Sequence, residues 1–154
     1  MALRGRLGGV TEGLDLSGEW NGLVFQGRIG GYVNGQNVRL EATDAGMAGR
    51  VGGYTQGFDV TAVVENAGFQ VRLGGYSAGT DAALDFTPEG AQGRLGSFTG
   101  GEDVLLRHYA GEVRGRFGGV SHGTDFRLDL GEVPLPVGAL LVLCAREAWR
   151  QAQP

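Results

Sequence analysis

Apolar and polar positions alternate along most of this chain, and the alternation restarts every 22 residues, so that Arg6, Arg28, Arg50, Arg72, Arg94 and Arg116 hold the same place in six successive units. Within one unit the period-2 pattern runs twice, which predicts two strands joined as a hairpin. Around the strand expected from Phe69 to Tyr76, Phe69, Leu73 and Gly75 share one face, and Gln70, Arg72, Gly74 and Tyr76 share the other. In its partner Val60, Ala62 and Val64 share a face. The same apolar triplet recurs as Val38, Leu40, Ala42, then Ala82, Leu84, Phe86, then Phe126, Leu128, Leu130. One face of every strand is therefore core.

Glycine punctuates the pattern. Glu12-Gly13, Asn34-Gly35, Gln56-Gly57, Ala78-Gly79, Gly100-Gly101 and His122-Gly123 suit two-residue hairpin turns with positive φ at the second position. At the opposite end Asp44-Ala45-Gly46, Asn66-Ala67-Gly68 and Pro88-Glu89-Gly90 suit a type I turn followed by a glycine bulge, so both ends are expected to be tight. Two-residue turns pair Tyr54 with Asp59, and set Arg6 opposite Glu19, Arg28 opposite Glu41, Arg72 opposite Asp85 and Arg116 opposite Asp129. Arg50 then faces Val63, and Arg94 faces Arg107, a like-charge misfit.

Twelve consecutive antiparallel strands favour closure over an open twisted sheet. A barrel of that size is about 24 Å across at the backbone, too wide for short side chains to fill. Inward glycines such as Gly27, Gly31, Gly49, Gly53 and Gly75 widen the space further. The filling is supplied by the C-terminus. After six hairpin repeats (1–131) and a loop (132–136) containing Pro134 and Pro136, residues 137–152 read as a helix that is apolar on every side from Ala139 to Ala145. The run is too short to span a bilayer, so enclosure by protein is predicted. The expected architecture is an all-β, closed 12-stranded up-and-down antiparallel barrel, one domain over 1–154, plugged by that helix. It would enter at the rim of the Asp-Ala-Gly turns and bring Arg146, Glu147 and Arg150 out at the Asn-Gly rim. A six-coil solenoid would stack like-charged arginines in file, and a propeller would have too few blades. An outer-membrane barrel would put the Val/Leu face outward.

This layout resembles the tubby-like barrels, shared in outline by the tubby C-terminal domain and the phospholipid scramblases, in which strands wrap a C-terminal apolar helix. The resemblance covers almost the whole chain in layout and rests on strand number and the terminal helix. The regular 22-residue repeat departs from that family's irregular strands. The likeness implies association with phosphoinositides or membrane surfaces, and no lipid-binding position carries over.

Composition narrows function by exclusion. All 13 basic residues are arginine, and the net charge of -4 argues against general nucleic-acid binding. The single cysteine, Cys144, cannot form an intramolecular disulfide, and the chain start Met1-Ala2-Leu3-Arg4 lacks an apolar signal segment, so a cytoplasmic location is expected. His108, on the inward set at a strand end, and His122, in a turn, lack the converging partners of a metal or catalytic site. Neither an enzyme nor a cofactor is expected, and Cys144 reads as an inert buried thiol. Two roles remain, a structural or protein-interaction module and a binding wall. The wall would present Arg28, Tyr32, Arg50, Tyr54, Arg72, Tyr76, Arg94 and Phe98 to anionic lipid headgroups, carbohydrate or another polymer. Release of the helix into a membrane would be a third use of the same parts.

Overall fold

The computed structural model describes residues 2–31, 35–53, 56–75, 78–97, 99–119 and 122–152. Twelve strands follow one another: β1 (Leu3–Gly8), β2 (Gly13–Trp20), β3 (Val24–Ile29), β4 (Gln36–Ala42), β5 (Gly46–Gly52), β6 (Gly57–Glu65), β7 (Gly68–Gly74), β8 (Gly79–Thr87), β9 (Gly90–Leu95), β10 (Glu102–Tyr109), β11 (Glu112–Gly118) and β12 (Gly123–Asp129). Among the described residues a single helix, α1 (Leu135–Ala152), follows the strands and begins two residues earlier than the sequence pattern suggests. Each strand pairs antiparallel with its sequence neighbours, and β1 pairs with β12, closing the barrel.

Inside the wall α1 is surrounded. Val137, Ala139, Leu140, Leu141, Val142, Leu143, Cys144 and Ala145 are all buried among inward residues such as Leu7, Leu40, Leu73, Leu106 and Phe117. At the turn rim, where the helix enters, Pro134 O accepts from Val137 N and Gly138 N at 3.1 Å each. Gly138 is small because Leu130 crosses it there, 2.6 Å from where a Cβ would stand. At the opposite, loop rim the helix is tied down: Arg146 forms a two-pronged bond to Glu102 at 2.8 and 2.7 Å, with Phe117 and Trp149 rings 5.6 and 5.5 Å from its guanidinium. Entrance and exit match the direction expected from the sequence.

The core triplets hold except at their ends. Val38, Leu40, Val60, Ala62, Ala82, Leu84, Phe126, Leu128 and Leu130 are buried, while Phe86 is half-buried and Ala42 and Val64 are exposed on the turn rim. The inward glycines do not enlarge the lumen. The Phe25 ring lies over Gly27 and Gly18, and the Phe126 ring lies over Gly115. Leu40 and Val60 flank Gly49 across the sheet, and Leu84 and Val104 flank Gly93. The fourth unit carries Val71 at this place, and both of its cross-strand neighbours, Ala62 and Ala82, are small. Volume is thus conserved around the ring, as close packing requires. Gly31, Gly53 and Gly75 lie in loops rather than in the wall.

The expected register is corrected. Gly8 pairs with Gly13, Gly52 with Gly57, Gly74 with Gly79 and Gly118 with Gly123, leaving four residues between them instead of two. Positive φ falls on the first glycine of each Gly-Gly or Gly-Ser pair, at Gly8, Gly30, Gly52, Gly74, Gly96 and Gly118 (90° to 115°), and that is where the strand leaves the wall. Two-residue loops occur at the other rim, where Glu65 pairs with Gly68 around Asn66 (φ 56°) and Tyr109 with Glu112 around Ala110 (φ 49°) and Gly111 (φ 93°). Adjacent turns interlock there. Ala42, Val64, Phe86, His108 and Leu130 donate their backbone N–H to Leu23, Ala45, Ala67, Glu89 and Gly111 carbonyls at 2.7–2.9 Å, a hook repeated at the period of the sequence.

Candidate functional site

The corrected register changes what faces the repeated arginines. Arg6, Arg50, Arg72, Arg94 and Arg116 stand opposite Asp15, Asp59, Asp81, Asp103 and Asp125, and Arg28 stands opposite Asn37. In all six, Nη1 donates to the side-chain oxygen at 2.6–2.9 Å. In all six, Nε also donates to the carbonyl three residues on, at Gly9, Gly31, Gly53, Gly75, Ser97 and Gly119, over 2.9–3.2 Å. The guanidinium is thereby folded back over its own hairpin loop. Glycine at the strand restart leaves it room: a Cβ on Gly123 would come within 2.7 Å of Arg116 Nε. The expected pairs with Glu19, Glu41, Asp85 and Asp129 do not form, and the Arg94–Arg107 misfit disappears.

Of the wall residues singled out from the sequence, Arg28, Arg50, Arg72 and Arg94 lie on the outer face and each clamps a loop in this way. Tyr32, Tyr54, Tyr76 and Phe98 lie outside the described residues, as does Asn34 of the expected Asn34-Gly35 turn. His108 and His122 are both exposed, at opposite rims. Cys144 is fully buried in the plug, and desolvation pushes its thiol well above the ordinary range. A thiol held protonated is a poor nucleophile.

Where α1 emerges, Glu147 is buried, and its carboxylate accepts from the Thr80 hydroxyl at 3.1 Å, from Gln151 Nε2 at 3.0 Å and from Arg150 at 3.1 Å. Thr80 and Glu102 belong to β8 and β10, so these contacts bind the end of the plug to the wall. Depressions of about 370 and 410 Å³ beside them share Thr80, Gly79 and Arg150 in their lining. Among the described residues no group of three His, Cys, Asp or Glu side chains is placed to hold a metal ion. No described helix is long and apolar enough to cross a membrane. The outer wall carries the Arg, Asp, Glu and Gln positions, a facing opposite to that of a lipid-embedded barrel.

Comparison of the chain with protein-family models, with characterised proteins and with solved structures finds no match.

Proposed function

We propose that this chain is a non-catalytic repeat barrel that acts through its surface as a structural or protein-interaction module. The observation that carries this reading is the double fastening of every repeat, an arginine clamp at one rim and backbone hooks at the other, around a lumen already filled by α1. Such a body offers partners its rims and wall, not its interior. The turn rim favours protein contact, because Leu23, Val64 and Tyr109 are 66%, 57% and 58% exposed around it. The wall of Arg28, Arg50, Arg72 and Arg94 as a binding face for lipid headgroups or carbohydrate is the weaker reading, since each guanidinium already serves its own loop. The likeness to tubby-like barrels and scramblases is one of layout and contributes no residue. Sedimentation together with chemical crosslinking tests the proposal. Association is expected, weakened by Leu23→Ser, Val64→Ser and Tyr109→Ser; a strict monomer without partners, or association indifferent to these changes, overturns it.

A further inference from the structure

The repeat itself shows where the chain departs from scaffold. On the outer wall Arg6 of β1 faces Arg127 of β12, Arg127 faces Arg114 of β11, and Arg114 faces Arg107 of β10. These four arginines form one row across the strands at the seam where the barrel closes. At strand spacings of about 4.8 Å the row spans about 14 Å.

Like charges placed directly opposite each other destabilise a sheet, so the row is a cost to the fold. Only Arg6 is part of the repeating clamp. Positions one or more periods from Arg127 hold Leu105, Ala83, Thr61, Arg39 and Ser17, and those from Arg107 hold Asp129, Asp85, Val63, Glu41 and Glu19. Arg114 replaces Gln92, Gln70, Ala48 or Gln26, with Arg4 its one counterpart. Three departures from the repeat therefore converge on one line, and each adds positive charge.

Three of the surrounding acids are already paired: Asp15 is held by Arg6 at 2.6 Å, Asp125 by Arg116 at 2.6 Å and Glu112 by Arg114 at 2.9 Å, while Asp129 stands opposite Arg4 and accepts from Gly131 N at 3.2 Å. Arg107 and Arg127 make no hydrogen bond or ion pair with the described residues. Depressions of about 520 and 510 Å³ lie on the two sides of Arg127, and both are lined by Arg6, Arg114 and Arg127.

We propose that the Arg127–Arg114–Arg107 row, with Arg6 held in its own loop clamp at the end of it, is a binding site for a short linear chain of phosphate groups. Guanidinium forks take phosphate oxygens two at a time, and successive forks along the row would meet successive phosphates. The shape of the charge selects a narrow ligand. A flat anionic bilayer would press on Asp125, Asp129 and Glu112 together, whereas a narrow chain can follow the exposed Arg107 and Arg127 side chains and meet fewer of these acids at once. The site is independent of any protein contact at the turn rim.

The test is a titration of the full chain with tripolyphosphate and with longer polyphosphate at low salt. Parallel arms use phosphatidylserine vesicles and oligothymidylate. Binding is expected to weaken with salt, to fall about tenfold in Arg127→Gln and further in the Arg107→Gln/Arg127→Gln variant, and to persist in Arg39→Gln. Because Arg107 and Arg127 have no partner among the described residues, the double variant should keep its circular dichroism and melting temperature, which separates lost binding from lost fold. Absence of polyphosphate binding, equal binding by the double variant, or binding confined to vesicles or oligothymidylate would each overturn the proposal.

Discussion

Leu140, Leu141, Val142 and Leu143 are consecutive on α1, so their side chains leave the axis at steps of about 100° and together point to every side of the barrel. All four are at most 1% exposed. A helix packed by one face would leave at least one of such a set in solvent, and its truncation would cost almost nothing. Here each Leu→Ala change removes a side chain enclosed by the wall and leaves a cavity that the closed ring cannot collapse around. The expected loss is about 3–5 kcal/mol for each leucine and about 2 kcal/mol for Val142→Ala. Leu135, half-buried at the turn rim, should cost about 1 kcal/mol. These are large fractions of a domain stability of about 5–15 kcal/mol. Urea unfolding reads them as shifts in midpoint at constant m-value. The diagnostic is the shape of the series: heavy at Leu140, Leu141 and Leu143 alike, with no helical period. Any one of these leucines tolerating alanine within about 0.5 kcal/mol would refute the enclosed plug.

The register makes Arg94 and Asp103 partners, so an Arg94→Gln/Asp103→Asn cycle should show a coupling of about 0.5–1 kcal/mol, small because Asp103 is 80% exposed, while Arg94 and Arg107 should not couple. Gly115→Ala would drive a Cβ to 2.2 Å from the Phe126 ring and should cost more than about 2 kcal/mol in the same assay, whereas Gly119→Ala, with nothing within 4 Å, should stay within about 0.5 kcal/mol. Ala110 is held at φ 49°, so Ala110→Asn, completing an Asn-Gly pair with Gly111, should raise the melting temperature by an amount equivalent to about 0.5–1 kcal/mol. For Cys144 the folded state keeps a proton that the unfolded chain loses near its ordinary pKa, so the associated stability is intact below about pH 8.5 and declines as pH rises above it. A Cys144→Ala variant should lack that share of the alkaline decline, and native Cys144 should react with thiol reagents only as fast as the protein opens.

How the sequence misled about the turns is instructive. Two-residue loops place Arg94 against Arg107; the longer loop present, with six residues between the paired Leu95 and Glu102, places it against Asp103. The two registers differ by four residues, an even number, and a strand offset by an even number keeps every side chain on its face. That is why the core triplets and the plug were legible from alternation alone while the ion pairs were not. The information was available. Asp15, Asn37, Asp59, Asp81, Asp103 and Asp125 each follow their arginine by nine residues without exception, whereas the acids expected opposite in the two-residue register were present for only four of the six arginines. A partner present in every unit is a better guide to register than a turn propensity, because propensity does not register that a guanidinium must close over the loop. The rim glycines are turn residues as the pattern predicts, with positive φ at the first of each Gly-Gly or Gly-Ser pair, where the chain leaves the strand, and at the second turn position in Gly57. The row at the seam was hidden for a different reason: its members sit on four strands from three units, and only closure of β1 on β12 brings Arg6 beside Arg127.

That closure explains why symmetry breaks where it does. Five of the six hairpins meet a following hairpin through the turn hooks, but the last is followed by α1, and the first strand must pair with a neighbour from the far end of the chain. Internal repetition solves the wall once and copies the solution, so a departure in the wall needs a local cause. Val71 has one, since Ala62 and Ala82 leave it room. Gly138 has one in the crossing of Leu130. Arg107 and Arg127 have no such cause in packing, because both are exposed and neither has an acid to hold among the described residues. Replacing Arg127 by the Ala, Thr or Ser, and Arg107 by the Val, found at the same places elsewhere in the repeat should leave the barrel as stable or more so, by relieving repulsion of a few tenths of a kcal/mol per facing pair.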